Sequence, residues 1–197
     1  MNMNEKEFIK FVKQECKKHN IKCVLKNTKT VKLTEDDRCS GYFDGESLVV
    51  AMNRSDAIQI LVHEYGHLTQ WAEKCDIWVQ CEKHESHERM YRWLAGERVR
   101  NIHKAIALCR DLELDNEKRS VKLIKKFNLN VNIDSYIKRA NAYVQFYNYL
   151  MISRKWCATT NIPYKNNRLL KVMPAKFNMD YNKLSKKVLR VFEEENI

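Results

Sequence analysis

The stretch from about Gly96 to about Phe127 reads as one long helix whose apolar stripe is interrupted by acid. At roughly 100° per residue, Val99, Ile102, Ile106, Cys109, Ser120, Ile124 and Phe127 fall on one face. Glu113 lies in the middle of that face, seven residues after Ile106 and four after Cys109, with Glu117 beside it. Asp111, Asp115, Lys118 and Lys122 take the opposite, polar side. A carboxylate on a buried face is costly unless it is paired or bound to a metal. The helix therefore needs either a buried Arg or Lys to meet Glu113, or a cation held with other ligands.

The segment "LVHEYGHLTQW" (61–71) offers such ligands. His63-Glu64-Tyr65-Gly66-His67 is an H-E-x-x-H sequence. Positions i and i+4 share one helix face, so both imidazoles can reach one ion. The surrounding pattern, Ile58, Leu61, Val62, Leu68 and Trp71, predicts a helix from about Asp56 to about Lys74, capped by Asn53 or Ser55 and following a strand. Hydrolytic zinc sites use three protein ligands and leave the fourth position to water. One arrangement takes a His six residues past the second His, after a Gly. Here those positions are Glu73 and Gln70, so that arrangement is absent. The third ligand is then expected from the later helix. We read Glu113 as that ligand and Glu117 as the acceptor that orients a ligand histidine, although spacing alone allows the two to exchange roles. Glu64 follows His63 directly and points about 100° away from it, which suits a general base and not a ligand.

The remaining pattern is mostly helical, in keeping with only four Gly and two Pro. A helix is predicted over 4–19, with Phe8, Phe11 and Val12 on one face. Strands are predicted at 21–26 and 30–34, and a hairpin at 41–52 that turns at Asp44-Gly45. Its returning strand, "SLVVAM", is expected as an exposed edge. Residues 76–94 are charged and read as helix. A helix capped by Ser135 or Asp134 is predicted to run to about Trp156, a loop over 159–167, and a final helix over 178–195. Cys75, Cys81, His84 and His87 form a second string of metal-binding residue types, with Cys spacing longer than in usual zinc fingers. Tyr136, Tyr143, Phe146, Tyr147 and Tyr149 make an aromatic helix that reads mainly as core, with one tyrosine a candidate oxyanion donor.

Residues 41–127 resemble the compact gluzincin peptidases, most closely the ImmA/IrrE-like group. The likeness rests on "GYFDGESLVVAMN", then "HEYGH" on a helix, then "LELDNEKRS", which is similar to the E-x-x-x-D/E segment of these families with Glu113 at the ligand position. The chain departs from the pattern in three places. Glu113 stands 46 positions after His67, a longer step than the group usually has, with Glu117 where Asp is usual and Asn116 where a small residue is usual. SprT-like proteases are a less close match, because they take a third His and often carry a zinc ribbon. The resemblance implies Zn2+ as cofactor, peptide-bond hydrolysis, and often substrates that are regulators bound to DNA. The expected fold is α+β and predominantly helical. It has a minimal zincin-like core (1–130) with a short N-terminal sheet, an HExxH helix and a Glu-bearing helix. A basic helical extension (131–197) packs on that core, or the two form one single domain.

Composition narrows the function classes. With 44% hydrophobic and 31% charged residues, 197 residues suit a soluble globular protein with a real core. No run approaches 18 apolar residues and the start lacks the apolar run of a signal peptide, so no membrane association and a cytoplasmic location are expected. Seven cysteines at irregular spacing fit reduced thiols. The net charge of +11 is uneven: residues 1–117 carry 19 basic and 20 acidic side chains, residues 118–197 carry 17 and 5. The expected function is a zinc-dependent endopeptidase (metalloprotease) that acts on protein or peptide substrates. Nucleic acid, met through the basic C-terminal part, is a candidate partner. The alternative is a non-catalytic zincin-fold module that binds metal or nucleic acid. A third reading is a metal-dependent hydrolase acting on another bond. The charge imbalance predicts weak, sequence-independent polyanion binding by the segment from 118 onward. Titration with duplex and single-stranded nucleic acid at two salt concentrations should show affinity falling steeply with salt. No binding at low salt would leave the charge as a solubility feature.

Overall fold

The computed structural model describes residues 3–35 and 37–197. The chain is α+β and predominantly helical, as its sequence predicts. It divides into two compact units, each built from two stretches of chain. Unit 1 is Met1–Cys75 with Arg119–Val131, and unit 2 is Asp76–Lys118 with Asn132–Ile197.

Unit 1 opens with helix α1 (Met3–Lys18), which buries Phe8, Val12 and Cys16. Strand β1 (Lys22–Lys26) follows, then a small ladder of β2 (Val31–Lys32) and β3 (Arg38–Cys39), and then the hairpin of β4 (Gly41–Phe43) and β5 (Ser47–Ala51). The hairpin turns where predicted. Gly45 takes φ +89°, and the Asp44 carboxylate accepts the backbone N–H of Glu46 at 2.9 Å and of Ser47 at 2.7 Å. The main sheet has the order β1-β5-β4. β5 pairs in parallel with β1, Val24 opposite Val49, and antiparallel with β4, Tyr42 opposite Val49.

This corrects the expectation of "SLVVAM" as an exposed edge. Leu48, Val49, Val50 and Ala51 are all buried, and such a continuous apolar run belongs to a central strand covered on both faces. The edge is β4. Helix α2 (Ala57–Glu73) packs against β4 and β5. Its N-cap residue is Asp56 and not Asn53 or Ser55. The Asp56 carboxylate makes no cap bond, because Arg54 holds it at 2.7 Å. The rings of Phe8, Phe11, Tyr65 and Phe127 join α1 and α2 to the segment just after helix α5 (Ile102–Lys126), with Phe11 and Phe127 4.9 Å apart.

In unit 2 the charged segment after Cys75 is two helices and not one, α3 (Asp76–Lys83) and α4 (Ser86–Leu94), broken at Glu85 with φ +48°. α5 starts at Ile102, later than predicted, because Gly96 and Asn101 take positive φ and turn the chain first. Helix α6 (Ile133–Ser153) is capped by Asn132, whose side chain accepts from the Ser135 N–H. The predicted loop contains a 3₁₀ turn at Pro163–Lys165, and helix α7 (Asn167–Val172), which was not predicted, follows it, capped by the Asn166 side chain. The last helix is shorter than predicted: α8 (Lys186–Glu194) begins after the Ser185 cap. Phe146, Tyr147 and Leu150 of α6 form the core with Ile106, Leu169 and Phe192.

One side of α6 is polar and buried. Asn141, Gln145 and Asn148, at i, i+4 and i+7, form a ladder that straps the segment 174–181. They donate to the carbonyls of Pro174, Asp180 and Tyr181 at 2.9 Å each. This explains why the chain before Lys186 is not helical: side chains of α6 bind its backbone carbonyls. Arg110 of α5, 3% exposed, completes the network with bonds to Asn148 Oδ1 at 3.0 Å and Asn182 Oδ1 at 3.1 Å. Arg110→Met keeps the bulk and removes the donor, leaving the buried Asn148 oxygen without it. It should lower stability by about 2 kcal/mol. Urea unfolding measures this, and an unchanged midpoint would show that the network carries no net stability.

Candidate metal centre

Helix α2 is held by Leu61, Val62, Tyr65 and Leu68, all buried. Between these anchors, His63 and His67 are half-buried and one turn apart. Their rings lie edge to face, with centroids 4.8 Å apart and planes at 86°. Glu64, on the same turn, is 8% exposed.

The end of α5 is fixed to α2 by Arg119, which donates to Thr69 Oγ1 at 3.2 Å and to the Glu73 carboxylate at 2.6 Å. Ser120 Oγ lies 3.5 Å from the Val62 carbonyl. Glu113, Glu117 and Ser120 stand at i, i+4 and i+7 and so share one face of α5. Both glutamates are 6% exposed. One ligand atom from each of His63, His67 and Glu113 lies within 4.8 Å of the other two.

The donor set fits zinc in kind: two imidazoles and one carboxylate, with a fourth position left for water. In a tetrahedral site with bonds of about 2.0–2.1 Å, ligand atoms stand about 3.4 Å apart. The separations here are at most 4.8 Å, a difference that side-chain torsions can close. The carboxylate brought to the histidines is that of Glu113, while Glu117 lies one turn further along. Among the described residues no other group of three such side chains converges, so Cys75, Cys81, His84 and His87 form no cluster. Cys81 instead packs with Leu108 and Leu112 in a small apolar core, and all seven cysteines are free thiols.

Gln70, Gly41 and Cys39 also border these residues, and the sequence alone assigned none of them a role there. Gln70, fully buried, places Oε1 2.9 Å from His67 Nδ1. Its signal in sequence was its place three residues after a ligand histidine on a helix, where side chains meet. Gly41 of the edge strand β4 approaches α2 closely. A Cβ there would sit 2.8 Å from Ile60 Cγ2 and 3.2 Å from Glu64 Cγ. Cys39 is next to Glu64 as well, since burial and then the Glu64 carboxylate push its thiol up from the ordinary value. In unit 2 the hydroxyls of Tyr143 and Tyr147 are 3.2 Å apart. Burial, with the Glu113 carboxylate adding to it, holds both phenols neutral far above their usual range.

Comparison with known proteins returns no matching family model, no similar curated protein and no similar solved structure. Among the described residues no helix is long and apolar enough to cross a membrane.

The trio predicts one bound zinc per chain. Metal analysis should find near-stoichiometric zinc in the purified protein and a large loss in Glu113→Ala. Full retention in that variant would remove Glu113 from the site and point to Glu117 or Glu73.

Proposed function

We propose that this chain is a zinc-dependent endopeptidase of the compact gluzincin type, similar to the ImmA/IrrE-like group. The observation that carries the reading is the convergence of His63, His67 and Glu113 with a fourth residue, Glu64, that metal binding does not require. Two neutral imidazoles and one carboxylate leave a divalent site with net positive charge. Zinc, when bound, supplies Lewis acidity that polarises a carbonyl and lowers the pKa of water toward about 7.

The chain's own groups do the rest. His63, His67 and Glu113 hold the ion. Glu64, one position past His63, takes the proton of the attacking water and passes it to the leaving amine. The edge strand β4 offers backbone groups to an extended substrate, and Gly41 brings that strand against the Glu64 side chain. Among the described residues no strand pairs with the other side of β4. Tyr143 or Tyr147, whose phenols burial pushes well above the ordinary range, is a candidate hydrogen-bond donor to the developing oxyanion. The excess of 17 basic over 5 acidic side chains in residues 118–197 supports protein substrates associated with nucleic acid.

Glu64→Gln keeps the shape and removes the base. It should fold, retain zinc and lose about 10²–10⁴ in cleavage rate on a peptide library. Equal cleavage by both proteins would assign the activity to another base. Zinc binding by both with no cleavage by either would make the chain a non-catalytic metal-binding module.

A further inference from the structure

We propose that Gln70 is a positioning residue: it holds His67 in the Nδ1-protonated tautomer and thereby turns Nε2, with its lone pair, to the metal. This rests on the zinc site proposed above.

The geometry is local to one helix. Side chains on a helix lean toward its N-terminus, so a residue three positions on reaches back over the ring of its predecessor. Gln70 does this, with Oε1 2.9 Å from His67 Nδ1. An amide oxygen only accepts hydrogen bonds, so the ring nitrogen facing it must carry the proton. A neutral imidazole has a single N–H, which leaves Nε2 deprotonated and able to bind a cation. The opposite amide orientation would donate an N–H to Nδ1, move the ring proton to Nε2 and block the ligand atom. The two arrangements therefore predict opposite tautomers for one ring.

Gln70 is 0% exposed, so water does not compete for this bond. The bond has two effects. It removes the wrong tautomer from the metal-free ensemble, and it fixes the ring plane, so that less freedom is lost when the ion binds. A neutral amide does this without placing another carboxylate inside the protein, where the uncompensated charge would be costly. The orienting acceptor predicted for a ligand histidine was Glu117; at His67 it is Gln70.

The test uses the full chain and two variants. Nitrogen-15 NMR of the metal-free protein, at a pH where the ring is neutral, should show His67 protonated on Nδ1. Gln70→Leu, close in size but without an acceptor, should show a tautomer mixture and bind zinc 10–100-fold more weakly in competition with a chromophoric chelator. Gln70→Glu, which retains an acceptor, should restore the Nδ1–H tautomer and most of the zinc affinity while melting at lower temperature. Helix content by circular dichroism checks that Gln70→Leu is folded; if it is not, the wild-type tautomer and the Gln70→Glu affinity decide. An Nε2–H tautomer in the wild type, or equal zinc affinity in wild type and a folded Gln70→Leu, overturns the proposal and leaves the metal site standing. Absence of zinc binding by the wild type overturns the metal site itself.

Discussion

Burial of carboxylate is the constraint on which the proposed chemistry depends. Glu64, Glu113 and Glu117 are all less than a tenth exposed, and Arg110 is the one cation buried to that degree among the described residues. Arg110 directs its guanidinium at Asp111, Asn148 and Asn182. The buried charge is thus weighted to the negative. Moving even one carboxylate out of water costs several kcal/mol unless a cation or a set of donors meets it. In the proposed site, a divalent ion held by Glu113 and two neutral imidazoles would add to whatever already meets these carboxylates and lower that cost further. Metal binding and stability are then linked, because an ion that binds only the folded chain stabilises it.

The scaffold around these groups uses different means in its two units. Unit 1 relies on aromatic contacts: Phe8, Phe11, Tyr65 and Phe127 fasten α1 and α2 to the chain that leaves α5. Unit 2 relies on a buried polar ladder. Three amides of α6 bind backbone carbonyls of 174–181 and leave that segment no freedom to join α8. Such a ladder contributes little net energy per bond, but a wrong arrangement leaves buried carbonyls unsatisfied. It therefore specifies one path for the chain more than it strengthens it.

Periodicity made the site residues legible in the sequence and left several elements hidden. Glu113 stood out because it broke an apolar stripe, and the two histidines stood out because helical spacing pairs them. The helix starts and stops were read less well. Glu85, Gly96 and Asn101 take positive φ; Gly signals that in sequence, Asn does so more weakly, and Glu85 gives no sign of it. The central place of β5 was present in its four consecutive apolar residues, but such a run reads equally as an edge once a hairpin is assumed. α7 was hidden by the turn residues that precede it, although Asn166 in that run is its cap. The partnership of Gln70 with His67 was visible as an i, i+3 spacing, yet attention to the missing Gly at that position concealed it.

What separates a hydrolase from a metal store in such a fold is Glu64. A site built only to hold zinc is more stable with an apolar side chain there, since a buried carboxylate that is not a ligand adds desolvation cost and no coordination. The chain keeps the carboxylate, and it also keeps Gly41 beside it. A Cβ at position 41 would press on Ile60 and approach Glu64, so the bare backbone of an edge strand lies against the proposed base. Within unit 1, then, the proposed base, the two histidines and an edge strand lie on the neighbouring elements α2 and β4. A peptide bound along β4 would meet that base directly, whereas a metal store has use for neither the base nor the bare strand.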